Sequence, residues 1–230
     1  IKSAHYILGK SLKYVCDISA STKSKLKESG IRTKFTTNID DILNDKSVNA
    51  IIISSSAESH FTLAKKSLKA GKHVLVEKPI TLYTKDAKEL VDLAHKKGLK
   101  LMVGHILLYH PAILKIKEMI KSGKLGKLQY IYSNRLNLGA IRKEENILWS
   151  FAPHDISVMQ YLTESNPVKI KATGASFIQK KIEDTTITIL EYPENIHAHI
   201  YVSWLHPFKE QRLVVIGTKG MLTFEDTLKS

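Results

Sequence analysis

Residues 49–79 read NAIIISSSAESHFTLAKKSLKAGKHVLVEKP, and this stretch decides the fold. It opens on a continuous run of β-branched residues, Asn49 to Ile53, of the kind expected for a strand buried on both faces. Glu58 to Ala70 follows, with Phe61, Leu63, Ala64 and Leu68 near helical spacing and Gly71 as its stop. His73 to Val76 is the next apolar strand. A strand, a helix and a second strand joined so briefly imply parallel neighbours with a right-handed crossover.

The same alternation extends both ways. Upstream, Leu12 to Asp17 reads as a strand and Ser21 to Glu28 as a helix capped by Ser19 or Ser21. Ile39 to Leu43 reads as a short helix. Downstream, Thr84 caps a helix to Lys97 whose apolar stripe is Ala87, Leu90, Val91 and Ala94. Gly98 ends it, and Leu99 to Val103 is another strand. Repeated units predict an α/β fold, a Rossmann-like doubly wound parallel sheet. The pattern then changes. A helix from Pro111 to Lys121 leads into strands at Leu128–Asn134, Val168–Ser176, Thr185–Glu191, His197–Trp204 and Arg212–Ile216, interrupted by one helix, His154 to Leu162. Alternating polarity and short turns predict a mainly antiparallel sheet with one covered face. The expected division is a dinucleotide-binding domain over residues 1–106 and an α+β domain over 107–230.

Composition excludes several classes. Of 230 residues, 43% are hydrophobic and 25% charged, as in an ordinary soluble domain. No apolar run reaches the ~18 residues of a membrane span. One cysteine, Cys16, rules out an internal disulfide framework and points to the reducing cytoplasm. The net charge of +13 comes mostly from lysines scattered along helices, such as Lys65, Lys66, Lys69, Lys85, Lys88, Lys96 and Lys97. They read as solvated faces; no recognition motif suggests nucleic acid, and a phosphate-bearing substrate is the secondary reading.

The candidate chemistry follows the strand ends. Asp17 stands where a dinucleotide-binding fold places the acid that bonds the ribose hydroxyls, about 20 residues after a Gly-rich turn. Counting back reaches or passes Ile1, so that turn is expected upstream of this chain. A carboxylate there repels a 2′-phosphate and favours NAD over NADP. Ser54 and Ser55 follow the strongest strand, and His60 opens the next helix, leaving room for a ligand. In Glu77-Lys78-Pro79, Lys78 ends a buried strand, and Pro79 restricts the backbone and permits a cis bond. His154 lies in WSFAPHDIS, read as a helix start whose dipole keeps the ring neutral. His105, His110, His197 and His199 lack metal-ligand spacing, and no metal is expected.

AGKHVLVEKPI, from Ala70 to Ile80, resembles the signature of the glucose–fructose oxidoreductase/inositol dehydrogenase family, Gfo/Idh/MocA. The resemblance spans the chain, including YVCDIS before it, KLMVGHILLYHPAILKIKEMIKSGKLG after it, and a His followed by a largely antiparallel sheet. It implies a Rossmann domain, an α+β domain with an open sheet, and NAD(P)-dependent oxidation of sugars or cyclitols. RLNLGAIRKEENILWSFAPHDIS, residues 135–157, resembles the branch acting on nucleotide-linked amino sugars, such as UDP-N-acetylglucosamine 3-dehydrogenases. Other members carry Asp four residues before the His and three after, where this chain has Ser150 and Ser157. Members also usually continue past residue 230, so the chain reads as truncated at both ends.

The resemblance implies Lys78 and His154 as the catalytic pair and Asp17, Ser54, Ser55, His60, Glu77 and Lys78 at the cofactor. His154, or Lys78 through a shared hydrogen bond, is expected to remove the hydroxyl proton; an unperturbed His titrates at ~6.5 and Lys at ~10.4, which favours His154 as the base with Lys78 holding the hydroxyl. Arg135, Asn137 and Arg142 are candidates for a substrate pyrophosphate, because guanidinium binds phosphate as a planar fork. A sugar or nucleotide-sugar substrate and a homodimer or homotetramer are the expected partners. The competing readings are a non-catalytic NAD- or sugar-sensing regulator and an NAD-dependent glycoside hydrolase.

Overall fold

A computed structural model describes residues 1–139, 141–143 and 145–227. The chain divides into two compact units, Ile1–Gly104 and His105–Ser230.

The first unit opens with helix α1 (Lys2–Leu8), which buries none of its residues. Strand β1 (Tyr14–Cys16) leads to α2 (Thr22–Glu28), β2 (Lys34–Thr36) and α3 (Asp40–Leu43). Then come β3 (Ala50–Ile53), α4 (Ala57–Lys69), β4 (His73–Val76), α5 (Thr84–Lys97) and β5 (Leu101–Val103). All pairings are parallel, in two sheets: β1 with β2, and β3-β4-β5 with β4 central. The core joins Ile53, Val74 and Val76 to Ala64 and Leu68 of α4 and Leu90 and Ala94 of α5. Leu68, Val76 and Leu90 are fully buried. Each such side chain contributes about 1.5–3 kcal/mol by leaving water. Gly98 closes α5 in the left-handed conformation, φ 63°, which costs a glycine nothing.

One expectation is corrected here, and one strand was not expected. β3 is not buried on both faces: Ile52 is 49% exposed. Ala50 and Ile52 share one exposed face of the strand, whereas Ile51 and Ile53 on the other face pack into the core with Ala64 and Leu68 of α4. β2 is also a strand that composition does not announce; Lys-Phe-Thr is too short for a period, and pairing with β1 creates it.

The second unit starts with a 3-10 turn at Ile106–Tyr109 and helix α6 (Pro111–Lys121), followed by β6 (Leu128–Leu136) and α7 (Ile147–Thr163). Five further strands complete it: β7 (Lys169–Ala175), β8 (Thr185–Tyr192), β9 (Ile196–Ser203), β10 (Glu210–Gly217) and β11 (Gly220–Glu225). They form one six-stranded sheet in the order β11-β10-β6-β9-β8-β7. Every pair is antiparallel except β6 with β9, which run parallel in register Tyr130↔His197 to Leu136↔Ser203. Alternation then sorts the faces. Ile131, Ser133, Ile200, Val202 and Leu190 point to the covered side under α7, with Ile147, Val158, Met159 and Leu162 above them. Tyr130, Tyr132, His199, Ile187 and Ile189 fall on the other face. Among the described residues no helix is long and apolar enough to cross a membrane.

The largest correction is α7. Its expected start at His154 lies seven residues too late. Asn146 caps the true start, its side chain accepting from the Trp149 amide at 3.2 Å and donating to Glu183 at 2.7 Å. Pro153, which precedes the expected start, sits inside the helix.

Candidate functional site

In the first unit, the candidate residues follow the carboxyl ends of parallel strands. Asp17 comes directly after β1, Ser54 and Ser55 after β3, and Glu77 and Lys78 after β4. This is the side on which open parallel sheets bind ligands, because the strand ends fan apart there.

Asp17 is held by its own loop. Oδ1 accepts from the Ser19 amide at 2.8 Å, and Oδ2 accepts from the Thr22 hydroxyl at 2.9 Å. The Ser19 amide, followed by the Thr22 hydroxyl, keeps its carboxyl below the ordinary carboxylate range. Each oxygen retains a lone pair for a further donor. The observed set therefore fits the ribose hydroxyls of NAD and, by charge, opposes a 2′-phosphate.

Ser54 and Ser55 are exposed, and the Ser55 hydroxyl is hydrogen-bonded to Ser59 at 2.6 Å. His60, expected at the cofactor, is placed differently. It is 1% exposed, with Nδ1 2.7 Å from the Pro79 carbonyl oxygen and Nε2 3.1 Å from that of Ser55. Its ring ties the loop after β3 to the loop after β4 and presents no atom to a ligand. The physical reason is its place in α4, on the buried stripe with Ala64, Ser67 and Leu68.

Lys78 is half-buried, and the Lys78–Pro79 peptide is cis. The Lys78 amide donates to the Glu77 carboxylate at 3.2 Å. That carboxylate lies over Gly104 at the end of β5. A Cβ on Gly104 would stand 3.1 Å from Oε2, so only glycine leaves Glu77 undisturbed.

In the second unit, His154 is the eighth residue of α7 and half-buried. The dipole argument for a neutral ring therefore does not apply, since that field fades within the first turn. Asp155, which follows it, is 3% exposed. Its Oδ1 accepts from the Ser133 hydroxyl at 2.6 Å and from Arg135 Nη2 at 3.2 Å, and its Oδ2 accepts from Arg135 Nε at 3.1 Å. Arg135, expected at a substrate phosphate, thus has two of its nitrogens on a protein carboxylate beneath α7. Asn137 is half-buried just past β6, its backbone N–H donating to the Ser203 carbonyl oxygen at 3.1 Å. Arg142 is exposed, and its carbonyl oxygen accepts from Gln179 at 2.8 Å.

Sequence reasoning missed Ser133, Asp155, Thr22 and Gly104. Ser133 and Arg135 at i, i+2 on a strand were a readable sign that both share one face. Nothing local marks the contact between the Glu77 carboxylate and Gly104. Among the described residues no group of three or more His, Cys, Asp or Glu could hold a metal ion.

Two family models match the chain. One describes an oxidoreductase family with an NAD-binding Rossmann fold and covers residues 4–105; the other describes a GFO/IDH/MocA C-terminal domain and covers residues 113–223. Inositol 2-dehydrogenase of Salmonella typhimurium (strain LT2) is 26% identical over 226 residues, 95% of this chain and 67% of that protein. UDP-N-acetylglucosamine 3-dehydrogenase of Acidithiobacillus ferrooxidans is 29% identical over 157 residues, 68% of this chain and 48% of that protein. The crystal structure of GenD2 from gentamicin A biosynthesis in complex with NAD superposes with a TM-score of 0.85 at 23% identity, over 93% of this chain and 64% of GenD2. At that identity the likeness is one of fold. The chain spans about two thirds of the length of its full-length relatives.

Proposed function

The chain belongs to the Gfo/Idh/MocA family of oxidoreductases, and from that premise we propose that it is the greater part of an NAD-dependent dehydrogenase acting on a hydroxyl of a sugar or cyclitol. The observation that carries the reading is the Glu77-Lys78-Pro79 turn at the carboxyl end of β4, in a unit whose Asp17 carboxylate is ionised and ready to accept from ribose hydroxyls. Asp17, Ser54, Ser55, Glu77 and Lys78 are the groups proposed to hold the cofactor. Bound nicotinamide supplies the hydride acceptor.

The protein's part is proton chemistry and placement. His154 takes the hydroxyl proton as general base. The Lys78 ammonium is the group proposed to hold the hydroxyl and stabilise its developing charge. For the substrate we favour a nucleotide-linked amino sugar. The likeness of residues 135–157 to the UDP-N-acetylglucosamine 3-dehydrogenase branch supports this, with Asn137 and the exposed Arg142 as groups for its phosphates. The likeness to inositol dehydrogenases supports a free cyclitol as the second substrate class. The lone, exposed Cys16 suits a reducing compartment, and we place the reaction in the cytoplasm. A homodimer or homotetramer is proposed to cover the open sheet face, where Ile187 and Ile189 are each 45% exposed.

The test is absorbance at the reduced-nicotinamide band with UDP-N-acetylglucosamine, glucose and myo-inositol. Turnover on any of them supports the reading, and the preferred one fixes the class. Tight NAD binding without turnover on all three overturns it in favour of a sensing protein.

A further inference from the structure

Arg135 and Asp155 form a buried ion pair whose place in the fold explains more than its charge does. The buried stripe of α7 is Ile147, Ser150, Ala152, Asp155, Val158, Met159 and Leu162, and Asp155 is its one charged member. Apolar contacts set which face of a helix meets a sheet, but, being non-directional, they define its exact rotation only loosely. The Asp155 carboxylate is directional. Three donors from one strand grip both of its oxygens: the Ser133 hydroxyl, Arg135 Nε and Arg135 Nη2. That strand, β6, is interior to the six-stranded sheet, bonded by β10 and β9 on its two sides.

The helix needs such a fix at this point. Pro153 has no N–H, so Trp149 loses its usual i+4 donor and the helix is weakened. On the other side, the Ser157 hydroxyl donates back to the His154 carbonyl oxygen at 2.7 Å, a contact that competes with the helical bond and favours bending. His154 lies between these two soft points. Successive helical residues differ by about 100° around the axis, so fixing the direction of Asp155 fixes that of His154.

We infer that the Ser133–Arg135–Asp155 network is a positioning device for His154, setting the rotation of α7, and that Arg135 is not a substrate ligand. The inference rests on the proposed role of His154 as base. Stability alone does not account for the network. Replacing a buried ion pair by apolar residues is often neutral, whereas removing one partner strands a charge.

The experiment therefore removes both partners, as Arg135→Met with Asp155→Leu, beside His154→Gln. Turnover is followed as NADH formation with whichever of UDP-N-acetylglucosamine, glucose or myo-inositol the parent protein oxidises. The expected result is a cooperatively folding double variant with kcat reduced at least tenfold and KM for NAD changed less than about twofold, since misplacement of about 1 Å costs up to 10²-fold. A folded double variant with kcat within twofold of the parent overturns the inference. If the double variant does not fold, Arg135→Lys decides: it keeps the charge and loses the two-point grip, and an unchanged kcat overturns the inference. If His154→Gln retains full turnover, the proposed chemistry fails separately. The positioning claim is then read from the His154 imidazole resonances, which should be doubled or exchange-broadened in the double variant and which overturn the inference if they are unchanged.

Discussion

His60 Nδ1 lies 2.7 Å from the carbonyl oxygen of Pro79, the residue after Lys78, and the same ring reaches the Ser55 carbonyl oxygen at 3.1 Å. One buried ring thus holds together two loops at the carboxyl ends of neighbouring parallel strands. His60→Ala leaves two carbonyl oxygens facing a void in a site that is 1% exposed. The expected loss is about 2–4 kcal/mol, from the stranded polar groups and the cavity together. Urea unfolding with an unchanged m-value checks it; a loss below about 0.5 kcal/mol would show that the clamp is ornamental.

Lys78→Ala and His154→Ala should each lower turnover by about 10²–10⁴, the usual range for positioned acid–base groups. If both act in one transition state, the double variant should lose no more than the worse single variant. Strictly additive losses would mean that the two residues act in separate steps.

Asp17 is the residue proposed to select the cofactor, and its carboxyl carries its own pH dependence. Asp17→Ala should lower the preference for NAD over NADP, measured as the ratio of kcat/KM values. Its folded-state carboxyl lies below the ordinary value of 3.8, through the Ser19 amide first and the Thr22 hydroxyl second. The unfolded chain therefore binds that proton more readily, so the contribution is full above about pH 4 and disappears as pH falls through the depressed value. Thr22→Val should raise the Asp17 midpoint seen by carbon-detected NMR; an unmoved midpoint removes the Thr22 contribution.

His199 forms a cluster on the open sheet face, hydrogen-bonded to the Tyr130 hydroxyl and stacked on Tyr132 with ring centroids 5.2 Å apart. Burial lowers its pKa from 6.5. Protonation is thus easier in the unfolded chain, so stability should decline as pH falls below about 6.5 and level off below the folded value. His199→Gln should flatten that part of the profile. Denaturation midpoints between pH 7 and pH 5 measure it.

Ile189→Lys places a charge on the same face. If a second copy covers it, the variant should shift to monomer by light scattering while its far-ultraviolet circular dichroism stays unchanged. A parent protein that is itself monomeric at micromolar concentration sinks the proposed assembly.

Residues 49–79 made the parallel strand–helix–strand unit legible because period and punctuation are local properties: β-branched runs, a helical stripe and Gly71 lie within a few residues of one another. Strand edges in the second unit were legible to within about two residues for the same reason. The start of α7 was not, because a proline within a helix reads as a boundary and the actual cap, Asn146, is fixed by Glu183, 37 residues away. β11 carries no signal beyond its turn, and β2 exists only through pairing.

The residue types at the strand ends, Asp17, Glu77, Lys78 and the later His154, were set by the sequence alone, since a motif needs only order and spacing. Partnership was decided by the tertiary structure. His60 faces two backbone carbonyls, Arg135 faces Asp155, and Glu77 lies over Gly104. Whether a side chain serves a ligand or the fold depends on what packs against it from distant segments, and no local pattern encodes those contacts.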